Sequence, residues 1–202
     1  PRPGEAETDT VPDEVLRPHG SVISALEIAR TFWTPAHQYA LIERALGRTP
    51  AELDRTWATW SEVAAGNPDA WRHEPFAPEA LACGSSTNPA VAVPYGRRHC
   101  SQMNVDQSAA LILTSVEAAD RLGIPADRRV YPWAIVESNE MIPVPARPDP
   151  GRSAGFEAVA RALRAAVGRD AASADLVDLY SCFPSAVEVQ RREFGLPADR
   201  AL

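Results

Sequence analysis

The sequence predicts an α/β fold, a sheet with helical cover, on two observations. In the second half, short apolar runs at 109–114, 129–136 and 175–181 alternate with helix starts at Ser115, Ser153 and Pro184, an order that packs helices onto a sheet. Across the 202 residues, 45% are apolar and 23% charged, the balance of a globular chain able to bury one ordinary core.

Taken in chain order, residues 1–20 hold Pro1, Pro3, Pro12 and Pro18 among acidic and small polar residues. Apolar burial there is too small to offset chain ordering, so residues 1–23 read as an extended lead-in. A first helix is expected over 36–46, with Leu41, Ile42, Ala45 and Leu46 on one side and Gly47 as its stop. Thr49-Pro50-Ala51-Glu52 is a second helix start, with Thr49 as cap, Pro50 suited to the first turn and Glu52 able to reach back. Leu53, Trp57, Trp60 and Ala64 follow at helical spacing and read as a core stripe before Gly66-Asn67-Pro68 ends the helix. Residues 70–98 show no period and read as irregular cover.

The run at 109–114 has the character of a buried central strand, and Ser115 caps a helix to Leu122 that Gly123 closes. A second strand is expected over 129–136, through Val130, Tyr131, Trp133, Ile135 and Val136, broken only by Pro132. Pro143, Pro145, Pro148 and Pro150 then make a stiff connection. Ser153 opens the clearest helix, with Phe156, Val159, Ala160, Leu163 and Val167 facing one way and Glu157, Arg161 and Arg164 another, up to Gly168. A third strand over 175–181 leads to a helix from Pro184 that includes Val187 and Phe194 and stops at Gly195.

Composition removes several function classes. The net charge is −7 and no basic block is present, so nucleic acid is not an expected partner. No apolar run approaches the length of a membrane span, and Pro1-Arg2-Pro3-Gly4-Glu5 lacks the order of a secretory signal, so the expected location is cytoplasmic. Cys83, Cys100 and Cys182 are odd in number and far apart, which points to reduced thiols and neither a disulfide framework nor a metal site. All 20 basic residues are Arg, which excludes a lysine Schiff base and a phosphate-binding P-loop lysine.

Three segments carry a family resemblance: Trp60-Ser61-Glu62-Val63-Ala64-Ala65-Gly66-Asn67-Pro68-Asp69-Ala70-Trp71, then Val105-Asp106-Gln107-Ser108-Ala109-Ala110-Leu111-Ile112-Leu113, then Asp178-Leu179-Tyr180-Ser181-Cys182-Phe183-Pro184-Ser185-Ala186. In this order and spacing the chain resembles the thiolase superfamily, in particular thiolase-like acetyl-CoA acetyltransferases, sterol-carrier-protein-linked thiolases and lipid-transfer proteins. The resemblance implies a thiolase fold, five alternating helix and sheet layers when complete. It makes 24–105 the loop domain over the acyl-CoA site, 106–124 the last strand and helix of the N-terminal half, and 128–202 the first part of the C-terminal half.

The same resemblance implies carbon–carbon bond chemistry at an acyl-CoA thioester, in lipid or sterol side-chain metabolism, with coenzyme A thioester as substrate and no other cofactor. The family's nucleophilic Cys precedes the loop domain, and a second His and Cys follow in Gly-rich segments. None of these has a counterpart here, so Cys182 is not assigned as nucleophile and the chain alone is expected to be inactive. Its expected partners are an acyl-CoA and the remaining thiolase half or a partner subunit.

Tyr180-Ser181-Cys182-Phe183 stands where the sterol-carrier-type members have His-Asp-Cys-Phe and other thiolases Asn-Glu-Ala-Phe. Tyr180 is thereby the candidate catalytic residue, a donor to an enolate-like oxygen or, with a lowered pKa, an acid or base; packing at a strand end is the competing role. Phe32 and Trp33 fall near the family's acyl-pocket wall and Gln102 near a position that meets pantetheine, with ordinary structural roles as the alternative. His37 and His99 show no partner in sequence. Three readings stay open: an acyltransferase or lyase, a non-catalytic acyl-CoA or lipid-binding subunit that docks to a partner, and a truncated product.

Overall fold

The structure is a computed structural model, and it describes residues 22–102, 104–106 and 108–198. The expected lead-in, the Gln107 of the second motif and the extreme C-terminus therefore lie outside the described residues, apart from 22 and 23. Helix α1 spans Ala25–Ala29, α2 Pro35–Leu46, α3 Pro50–Ala65, α4 Pro78–Leu81, α5 Val116–Arg121, α6 Ala154–Val167 and α7 Pro184–Glu193.

Local chemistry sets these boundaries. Thr49 and Glu52 close the expected capping box, Thr49 Oγ1 accepting from the Glu52 amide while the Glu52 carboxylate accepts from the Thr49 amide at 2.8 Å. Ser24 and Glu27 form a second box at α1, and Ser115 and Ser153 cap α5 and α6. Each such cap contributes about 1 kcal/mol. Gly47 and Gly168 end α2 and α6 in the left-handed region, at φ 73° and 72°, where a side chain is strained.

Helix α2 is the centre of the packing. One side joins Ala40 to Leu53 of α3, Ala92, Tyr95 and Phe183, while Ile42 and Leu46 pack with Val144 and with Val189 of α7. Tyr39 touches both clusters. The irregular stretch 70–98 is more ordered than its composition predicts. It contains α4 and an antiparallel hairpin, β1 Ala90–Ala92 with β2 Tyr95–Gly96, in the register Ala90 to Gly96 and Ala92 to Tyr95. Gly96 approaches closely enough that a Cβ there would run into the buried Asn88 side chain, which bonds the Leu81 carbonyl and the Arg98 amide. The tryptophan stripe of α3 is corrected in part: Leu53 is buried, Trp57 and Trp60 are half-buried and Ala64 is exposed.

The three expected strands are the main correction. Residues 109–114, 129–136 and 175–181 are irregular in secondary structure, and none has a ladder partner among the described residues. Their apolar side chains are open, with Leu111 89%, Val130 92% and Leu176 91% exposed. Pairing, not propensity, makes a strand. Helix α6 is only partly covered: its apolar stripe contains no buried residue, with Val159, Ala160, Leu163 and Val167 half-buried and Phe156 exposed. Between Phe156, Val159 and Leu163 of α6 and the stretch 174–179 lies a gap of about 570 Å³, and a larger one separates residues 177–181 from Trp57, Trp60 and Phe76.

Candidate functional site

A buried polar hub holds α2 to β2 and α7. The Glu43 carboxylate, almost fully buried, takes two parallel bonds from Arg48 at 2.7 Å and one from the Tyr95 hydroxyl at 2.8 Å. That hydroxyl has one proton, which goes to the carboxylate, so Ser185 is left to donate to the Tyr95 oxygen at 2.8 Å or to the Tyr39 carbonyl at 3.0 Å. Burial first, then the Glu43 charge, pushes the Tyr95 hydroxyl far above its ordinary pKa. The hub is therefore a neutral phenol on a paired carboxylate, a rigid arrangement in which every buried member has a partner.

Beside it, His99 is also paired. Its Nδ1 accepts from the Gly96 amide at 3.1 Å, so the proton of the neutral ring sits on Nε2 and points at Asp54 Oδ1, 3.1 Å away. Burial holds the ring below its ordinary pKa of 6.5, against the pull of Asp54. The expectation that His99 lacks an acidic partner is corrected here: Asp54 is its partner, 45 residues away in sequence. His37 bonds Thr34 Oγ1 at 2.8 Å and stacks on Phe32 at 5.2 Å.

On the outer side of α2 lies a cavity of about 450 Å³, between the first turns of α2, the 138–156 connection and α7. Trp33 and Tyr180, two of the sequence candidates, both line it. Phe32 sits next to it on His37 without lining it, and its carbonyl accepts from Gln38 at 2.9 Å. Gln102 is exposed, away from the cavity, with its amide on the Cys100 carbonyl at 3.4 Å. Its loop is nonetheless tied to the Tyr180 loop, since the Ser101 amide donates to the Cys182 carbonyl at 3.0 Å.

Tyr180 is 66% exposed, while its backbone is held at both ends by Gln190 of α7, whose Oε1 accepts from the Tyr180 amide at 3.2 Å and whose Nε2 donates to the Tyr180 carbonyl at 2.8 Å. Cys182, through hydrogen bonding and then charge, raises the Tyr180 hydroxyl above its ordinary pKa. At neutral pH the phenol keeps its proton, which suits a donor and not a base. Tyr39, absent from the sequence candidates, lines the same cavity and stacks on Phe183 at 4.6 Å. Burial, then Cys182, raises its hydroxyl too. The signal for Tyr39 was only its place on α2, two positions from Leu41 and inside an apolar stripe. Burial raises the Cys83 and Cys100 thiols, which keeps both protonated and weakly nucleophilic. All three cysteines are free. Among the described residues, no cluster of three His, Cys, Asp or Glu stands ready to hold a metal ion, and no helix is long and apolar enough to cross a membrane.

The chain is similar to the crystal structure of a monomeric SCP2-thiolase-like protein type 1 from Mycobacterium smegmatis, with a TM-score of 0.70, 27% identity and 89% of this chain covered. The match takes in 41% of that protein, so this chain spans about two-fifths of its length. No family model matches the chain, and no curated protein matches it. The fold is a partial α/β thiolase-like fold.

Proposed function

We propose that this chain is the acyl-pocket portion of a thiolase-like protein that handles an acyl-CoA thioester, with C–C bond formation or cleavage as the reaction of the complete assembly. The observation that carries this reading is the cavity that gathers Trp33, Tyr39 and Tyr180 on one wall between α2 and α7, in a chain with a thiolase-like fold. The apolar walls take the acyl chain. The Tyr180 hydroxyl, protonated and exposed, faces a developing thioester enolate as a single donor. Coenzyme A enters as the substrate's thioester, and no further cofactor belongs to the proposal.

The three apolar segments without a ladder partner among the described residues and the half-covered stripe of α6 support the second half of this reading, that the remainder of a thiolase-like assembly, in the same polypeptide or as a partner subunit, supplies strands to them and the nucleophile to the reaction. A non-catalytic acyl-CoA-binding subunit is the alternative, and it is favoured by the raised pKa of Tyr180, which leaves a donor without a base. Both are tested by calorimetric titration of the chain with decanoyl-CoA and with free CoA. The acyl form is expected to bind at least tenfold more tightly, with the advantage reduced in Trp33→Ala; equal affinity for the two would sink the acyl-pocket reading. In the complete assembly, Tyr180→Phe separates enzyme from binder. A turnover loss of about a hundredfold with an almost unchanged melting temperature marks the donor role, and normal turnover assigns Tyr180 to structure.

A further inference from the structure

The acyl reading leaves a cationic group of the cavity unused. Arg147 lines it half-buried, and the one hydrogen bond of its guanidinium runs from Nε to the Ile142 carbonyl at 3.2 Å. No carboxylate lies within ion-pair distance of its guanidinium among the described residues. The nearby acid, Glu140, is already committed: one carboxylate oxygen accepts from Ser153 Oγ at 2.6 Å and from the Gly155 amide at 3.1 Å. Those donors, at the first turn of α6, offset its charge. The Arg147 charge helps hold the Glu140 carboxyl low from beyond ion-pair distance, but its two terminal nitrogens make no hydrogen bond to protein among the described residues.

Gln38, on the same wall, is closed to a ligand. Its Nε2 donates to Glu27 Oε1 at 2.6 Å and to the Phe32 carbonyl at 2.9 Å. Two acceptors on that side fix the amide, because a flipped Gln38 would set oxygen against oxygen. Its Oε1 is consequently turned away from them, buried and without a donor, in a residue that lines the cavity. The apolar part of the wall comes from Trp33, Ile42, Ile142, Val144, Phe156 and Val189. The volume falls in the roughly 300–1,000 Å³ range of small-molecule sites.

We propose that this cavity selects apolar ligands that end in a carboxylate, with the carboxylate on the Arg147 guanidinium and the hydrocarbon body along the apolar part of the wall. The planar guanidinium pairs with a carboxylate through two parallel bonds, and a half-buried setting strengthens that pair above its value in water. The proposal rests on the acyl-pocket reading and refines it: the accepted acyl group is one that carries an acid at its far end.

The test is equilibrium binding of decanoate and 1-decanol to the whole chain, followed by tryptophan fluorescence with Trp33→Phe as the control for the reporter. Decanoate is expected to bind at least tenfold more tightly than decanol. Arg147→Gln is expected to remove that difference and leave decanol affinity unchanged, while Arg147→Lys, which keeps the charge but loses the fork, restores part of it. Equal binding of the two ligands by the native chain, or an equal loss of both in Arg147→Gln, overturns the proposal; the first comparison holds even if a variant fails to fold. The mono-CoA thioester of decanedioic acid, whose acyl group ends in a free carboxylate, serves as the third ligand. If it binds and decanoate is indifferent to Arg147, only this inference falls. If decanoate binds through Arg147 and this thioester does not bind, the acyl-CoA reading falls instead. If none of the three binds, both fall.

Discussion

The hub around Tyr95 and the stretch 108–114 are opposite solutions to the same requirement. In the hub, Glu43, Tyr95 and Ser185 are buried from three elements and each polar atom has found a partner in the chain. In the stretch, Leu111, Ile112 and Leu113 are apolar and irregular in secondary structure, and they are left in solvent. The difference teaches that burial and pairing must arrive together. A buried polar group persists because its bonds are complete, and an apolar strand stays unformed where no ladder partner stands beside it. Large exposed apolar stretches of this kind mark interaction surfaces, which is why the second region belongs to the proposed assembly and the first to the chain itself.

The sharpest test of that contrast truncates one leucine in each region. Leu53→Ala, at the buried centre of the first cluster, is expected to lower stability by about 2–5 kcal/mol, whereas Leu111→Ala should stay within about 0.5 kcal/mol. Urea unfolding of both variants measures this, and similar losses would mean that the irregular stretch is packed after all. Next in size is Tyr95→Phe, which keeps the ring and removes the donor to Glu43. The carboxylate retains Arg48 but loses one buried bond, so a loss of about 1–3 kcal/mol is expected; an unchanged midpoint would show that the hub tolerates an unpaired member.

A smaller effect follows from His99. Its folded pKa lies below the ordinary 6.5 because burial disfavours the charged ring. Between those two values the unfolded chain binds a proton that the folded chain refuses, so this contribution is fully present above about pH 6.5 and is lost as the pH falls toward the folded value. Stability measured in urea from pH 7.5 down to pH 5 should therefore decline below about 6.5, and His99→Gln should flatten that slope. Asp54 acts in the opposite sense at lower pH, since burial raises its carboxyl above 3.8. Glu140 and Glu193, held low despite their burial by hydrogen bonds from Ser153 and from Arg152 respectively, add their own loss below about pH 4.5. The smallest stability change belongs to Leu111→Ser, within about 0.5 kcal/mol, yet it should visibly reduce binding of a hydrophobic dye, the signature of an open apolar stretch.

Helix ends were determined by the sequence alone. Thr49 and Glu52, Ser153, Gly47 and Gly168 all act within a turn of their own position, so neighbours three or four residues away suffice to read them. The resemblance that pointed to Trp33 and Tyr180 was also legible in order and spacing, and the cavity brings these two together. Tyr39, Arg147 and Gln38 were not legible. Their roles depend on which side of α2 faces the 138–156 connection, and no local pattern states that. The hub was hidden for the same reason: Tyr95 meets Glu43 across 52 residues and Ser185 across 90, and His99 meets Asp54 across 45. Apolar runs at 109–114, 129–136 and 175–181 have the composition of strands, but a strand is completed by hydrogen bonds to a neighbour, and that is a property of the assembled structure, not of the run.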